Sequence, residues 1–161
     1  MVSDASGPRS ALRFPWGFGL LYGFLAAVAG AATTLAVIVV DWSGLPPRLG
    51  ALTLRMLYEA HGVGVAGPPP VVGPALPGAA TALVPVVVLT ALGYAHAGGY
   101  VGTSAQQAVL AGASIAVGYV AAALAGVLLG VRASPLAAIV AFGGYALVFG
   151  GLGGYLARSR S

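Results

Sequence analysis

The side chains of this sequence best suited to proton transfer, ligation or nucleophilic attack are Glu59, His61, His96 and Ser114. Glu59 and His61 stand two residues apart, so on a helix they point to opposite sides. That spacing is not HExxH and cannot present two zinc ligands on one face. His96 closes a long apolar run between Tyr94 and Tyr100, a cluster that an interfacial aromatic belt explains without catalysis. Ser114 has no His or Lys beside it in sequence, and no pair of carboxylates is spaced for acid–base work. Gly98-Gly99-Tyr100-Val101-Gly102 matches neither GxGxxG nor a P-loop, and no strand–helix unit surrounds it. Gln106 and Gln107 open the next apolar run and read as capping residues. With no cysteine, disulfides, Cys-zinc sites and thiol nucleophiles are excluded. No catalytic residue, metal ligand or cofactor site can be assembled, and the chain is expected not to be an enzyme.

The elements that would position these residues follow from where charge is missing. Of 161 residues, 59% are hydrophobic and 6% are charged, against about 25% charged in soluble domains. Seven Arg, no Lys and three acids give a net charge of +4. The arginines are too few and scattered for a nucleic-acid footprint. No charge interrupts 14–40, 60–131 or 133–157. A hydrocarbon layer ~30 Å thick takes about 20 apolar residues as a helix, and backbone in lipid must satisfy its own hydrogen bonds. These runs predict an all-α integral membrane four-helix bundle, a multi-pass protein of the cell membrane whose immediate partner is the lipid bilayer. The predicted spans cover 16–40, 77–97, 106–130 and 135–157, between tails at 1–15 and 158–161. The first run exceeds the 7–15 residues of a signal h-region. Arg9, Arg13, Arg158 and Arg160 lie on the side of the termini and Arg48, Arg55 and Arg132 on the other, which favours cytoplasmic termini.

The first loop is long. Residues 47–61 predict an amphipathic helix with Arg48, Arg55 and Glu59 on one side and His61 at its end. It is too short to span and is expected in the interface, apolar side towards the acyl boundary; as to role, a lid that simply packs on the bundle is favoured over a substrate-handling element. Residues 67–77 carry five prolines and predict an extended spacer.

Small residues recur at spacing four: Gly19, Gly23, Ala27 and Ala31; Gly118, Ala122, Gly126 and Gly130; Ala146, Gly150 and Gly154. Such ladders let membrane helices approach closely, within one chain or between copies or partners. Pro85 cannot donate to the Thr81 carbonyl, so a kink is expected. Thr81, Pro85, Thr90 and Ser114 are the candidate polar pathway or hinge, with Thr33 and Thr34 as further hydroxyls.

Four stretches together carry a resemblance: Arg13-Phe14-Pro15-Trp16; Tyr58-Glu59-Ala60-His61; residues 112–119, GASIAVGY; and residues 145–154, YALVFGGLGG. From about Arg13 to Ala157 the chain resembles an uncharacterised family of small haloarchaeal multi-pass membrane proteins, a domain of unknown function. It departs from that pattern at Glu59, where an Asn would stand before Ala60. The resemblance implies an archaeal host and a cell-membrane location, and no activity. The expected role is a non-enzymatic structural or accessory membrane component. The alternative is a small transporter or channel with a kinked second span.

Overall fold

A computed structural model of the chain describes residues 16–41, 48–67, 78–99 and 104–158. Arg9, Arg13, Tyr100, Arg160 and nearly all of the proline-rich spacer lie outside the described residues. Helix α1 runs Trp16–Asp41, α2 Leu49–Ala60 and α3 Gly78–Gly98. Helices α4 (Ala105–Ala113) and α5 (Ala116–Leu128) form one spanning segment, because Ser114 and Ile115 keep right-handed helical torsions at the break between them. Helix α6 (Pro135–Tyr145) passes through a π-helical turn, Ala146–Gly150, into α7 (Gly151–Arg158). Among the described residues there is no strand, only an isolated antiparallel bridge from Val65 to Ala133.

The helix starts are locally encoded. The Ser104 hydroxyl accepts from Gln107 N–H while the Ser104 N–H donates to the Gln107 side chain, a reciprocal cap. Ser134 caps the N–H of Ala137, and Pro135 sits in the first turn, where its missing donor costs nothing.

Four segments are long and apolar enough to cross a membrane: Gly17–Val40, Thr81–Gly98, Ala105–Leu128 and Pro135–Arg158. Their outward residues are apolar too, with Val40 and Leu128 both 88% exposed. Water would not tolerate so much exposed apolar surface on a monomer, whereas lipid does. The chain is therefore a multi-pass membrane protein with an all-α bundle. Its core is made of alanines, branched aliphatics and aromatic residues, including Ala26, Leu89, Ile115, Ala116, Tyr119, Ala123, Phe142 and Ala146.

Glycine decides how closely the helices pack. A Cβ on Gly23 would lie 2.0 Å from the Ile115 carbonyl oxygen, and one on Gly118 would lie 1.9 Å from that of Leu20. So α1 and α5 touch backbone to backbone. Gly19 meets Ser114 in the same seam. A second seam joins α3, α4 and the π turn: Gly93 and Gly112 both face the Gly150 carbonyl, and Gly154 faces that of Ala108. Gly93, Gly112 and Gly153 belong to this seam although they fall outside the spacing-four ladders. Gly126 does not face a spanning segment's backbone in this way; its nearest neighbour is the Tyr58 ring of the loop helix. Gly130 is not a packing residue. It ends the helix at φ +107°, with no heavy atom within 4 Å of a Cβ placed there. The spacing-four pattern simply runs past the last turn.

Helix α2 differs from its expected position. Its apolar side does not face an acyl boundary but packs against α1 and α3, burying Leu52, Thr53, Leu57 and Tyr58 within the protein. Tyr58 also reaches the Ala123 carbonyl on α5 and the Phe142 ring on α6. The helix thus touches all four spanning segments. Room for the Tyr58 ring at Gly126 and a carbonyl acceptor at Ala123 give it a partner that sequence spacing does not reveal.

Candidate functional site

The most developed polar cluster grows from the C-terminus of α2. The last carbonyls of a helix lack intrahelical donors. Here the Leu57 carbonyl takes one from the side chain that follows the helix: His61 Nδ1 lies 2.7 Å from it. A carbonyl only accepts, so Nδ1 carries the proton and Nε2 of the neutral ring is an acceptor. Tyr119 supplies the donor, its hydroxyl 2.9 Å from Nε2. Both ring nitrogens are thereby satisfied inside the protein.

Aromatic rings box the imidazole. His61 stacks on Phe142 with centroids 4.0 Å apart and planes 9° apart, and Tyr145 closes another side at 4.9 Å. Only 3% of His61 is exposed. Burial disfavours the imidazolium and pushes the pKa down to about 4, against the smaller upward pull of the Leu57 carbonyl. Burial likewise raises the Tyr58 phenol. His61, expected only as the end of the amphipathic helix, is thus turned into the protein. Arg48, Arg55 and Glu59 do lie towards the outside, Arg48 just before the helix with φ 63°. Arg55 and Glu59 form an i,i+4 ion pair at 2.7 Å. Since Glu59 faces outward, the two-residue offset that separates it from His61 turns the imidazole inward.

A second cluster joins α3 to the break in the third span. His96 Nε2 lies 3.2 Å from Ser114 Oγ, and the Ser114 hydroxyl donates to the Ala111 carbonyl at 2.7 Å. Tyr22 of α1 lies against His96 with centroids 4.8 Å apart. His96 is buried, not part of an exposed belt. So the fold does bring a histidine to Ser114, a pairing hidden in the sequence by 18 intervening positions. The serine hydroxyl donates to the nearer Ala111 carbonyl, and in that arrangement His96 Nε2 donates to the oxygen rather than taking its proton. Gly19 also packs directly over Ser114 Oγ, leaving no space for a substrate carbonyl.

The remaining candidates are dispersed. Thr81 and Pro85 are buried in α3, and the Thr90 carbonyl meets Gly153 of α7. Thr81 and Thr90 are separated by about 13 Å of helical rise, and Ser114 spends its hydroxyl on Ala111. Every buried side-chain nitrogen or oxygen among the described residues has a hydrogen-bond partner. Among those residues no group of three His, Cys, Asp or Glu is placed to hold a metal.

The residues that sequence reasoning missed are Tyr58, Tyr119, Phe142 and Tyr145. Tyr58, Tyr119 and Tyr145 stand in the stretches that carry the resemblance, but nothing in the sequence assigned them to a site. No family model, no curated protein and no solved structure matches this chain.

Proposed function

We propose that this chain is a non-enzymatic membrane component, a preassembled helical unit that works by packing in the bilayer beside another membrane protein or a second copy of itself. One observation carries the reading: the polar groups of the bundle are spent on the bundle. His61, Tyr119, Tyr58, His96 and Ser114 bond to one another or to backbone carbonyls, which suits a scaffold better than a reaction centre. The glycine seams hold this chain's own helices together, so a partner would meet the apolar outer faces instead. The proposal includes a cell-membrane location with both termini cytoplasmic, and the likeness to small haloarchaeal membrane proteins agrees with that location.

The experiment is purification from native membranes in mild detergent, followed by intact mass of the complex. A stoichiometric foreign chain or a homo-oligomer supports the reading. A monomer that carries a solute across liposome membranes overturns it.

A second reading, a small transporter or channel, is favoured by a specific feature. Two of the four spanning segments depart from regular α-helix near mid-length, at Ser114–Ile115 and at the π turn Ala146–Gly150, and α3 carries Pro85 inside its helix. Interrupted helices and π turns are common where transport proteins bind or bend. Thr81→Val would reduce flux under this reading and leave assembly untouched under the first.

A further inference from the structure

Helix α2 has two places to go. Its apolar side is buried among the four spanning segments, yet its composition also suits the membrane interface, with Arg55 and Glu59 on the polar side. Left-handed torsions flank it, φ 63° at Arg48 and 74° at Gly62, where the chain changes direction. Beyond Gly62 the chain pairs with the α5–α6 connection, Ala66 N–H to the Arg132 carbonyl at 2.8 Å, beside the Val65–Ala133 bridge. This strap tethers the far end of the helix whichever position the helix takes. Inside, two side-chain contacts fasten it: the Tyr58 hydroxyl on the Ala123 carbonyl, and His61 on the Tyr119 hydroxyl.

We propose that α2 is a hinged plug that seals one end of the bundle, with His61 as a proton-sensitive latch that releases it towards the membrane interface in acid. The latch depends on polarity. Nε2 must accept from Tyr119, and a proton on Nε2 makes that nitrogen a donor and leaves a cation in an aromatic box. The groups that face the imidazole are the Leu57 carbonyl of α2, Tyr119 of α5, and Phe142 and Tyr145 of α6. Helices α1 and α3 bring no described titratable group to it. Among the described side chains no carboxylate stands there to compensate the charge, since Glu59 is held by Arg55 outside. Lifting the helix places the imidazole in water, where it protonates near its ordinary value.

The closed plug binds the proton weakly, with a pKa of about 4 against 6.5 when free. Acid therefore favours the open state, and the effect begins as pH falls below the free value, not at the closed one. The opening equilibrium is expected to rise roughly tenfold by pH 5.5 and about 80-fold by pH 4.5, levelling near 300-fold below pH 4.

The chain has no cysteine, so single introduced thiols report cleanly. Full-length Leu57→Cys (inner face of α2), Gly50→Cys (exposed reference) and Ala97→Cys (buried far end of α3) are placed in liposomes. A pyridyl disulfide, which still reacts with thiols in acid, is applied at pH 7 and pH 4.5. The expected result is a Leu57→Cys rate, relative to Gly50→Cys, that climbs more than tenfold in acid. Ala97→Cys stays protected, and the climb vanishes when His61→Phe is added. A flat ratio, an equal climb with His61→Phe, or exposure of Ala97→Cys in step with Leu57→Cys overturns the proposal. Should His61→Phe fail to fold, Tyr119→Phe removes the latch hydroxyl alone. It is expected to raise Leu57→Cys reactivity at pH 7 at least severalfold, and no increase would also overturn the proposal.

Discussion

The Tyr119 hydroxyl donates to Nε2 of His61 across 2.9 Å, joining the first turn of α5 to the residue that caps α2, 58 positions earlier in the chain. The imidazole can accept because its other nitrogen is committed to the Leu57 carbonyl. One histidine thereby terminates a loop helix and fixes it to a spanning segment.

The coupling between these two residues is measurable. His61→Phe keeps a ring against Phe142 but leaves the Tyr119 hydroxyl buried without an acceptor, at a cost of about 1–3 kcal/mol. Adding Tyr119→Phe removes the orphaned group, so the double variant should be more stable than His61→Phe alone. Reversible unfolding in mixed micelles reads this cycle. A double variant that loses the sum of the two single losses would show that the pair is not coupled.

Stability should fall on both sides of neutrality, for opposite reasons. His61 has a lowered pKa, so its contribution is complete above pH 6.5 and is lost as pH falls towards about 4. The full loss corresponds to about 3 kcal/mol. Tyr58 has a raised pKa, so its contribution is complete below pH 10 and is lost as pH rises beyond that. Unfolding midpoints across pH 3.5–8 should slope in the wild-type chain and flatten on the acid side in His61→Phe.

Gly23→Ala should cost about 3 kcal/mol or more, because the new Cβ meets the Ile115 carbonyl, and backbone cannot rotate away. Gly144→Ala on α6 is the contrast. Nothing lies within 4 Å of its Cβ position, and replacing a helical glycine there should stabilise by up to about 1 kcal/mol. Thermal unfolding in detergent distinguishes them; equal effects would remove the basis for the α1–α5 seam.

Ser114 should be inert towards fluorophosphonate reagents, since its proton is committed to Ala111 and Gly19 covers its oxygen. Ser114→Ala should cost about 1–3 kcal/mol by leaving the His96 donor buried without this acceptor. Covalent labelling of Ser114, detected by mass, would show instead that its hydroxyl is accessible and reactive.

The spanning helices were legible because lipid imposes a one-dimensional rule: a charge-free apolar run of sufficient length becomes a helix whatever it packs against. Local chemistry carried further, to the Ser104–Gln107 cap and to Pro135 in a first turn. The site was less legible. His96 looked like part of an aromatic belt, and only the rotation of α3 against the third span turns it onto Ser114. Helix α2 looked interfacial because its amphipathicity says which side is apolar but not whether lipid or protein covers it.

By itself, then, the sequence determined that this is an all-α membrane protein with four long apolar helices and a short amphipathic helix between the first two. Its hydropathy and its glycines needed no partner to be read. Tertiary structure decided what those glycines touch and where the imidazoles point. Gly126 admits a tyrosine, Gly130 turns the chain, and His61 faces inward between Tyr119 and Phe142. Such contacts depend on the depth and rotation of whole helices relative to one another, which small differences in packing fix and which no local pattern encodes.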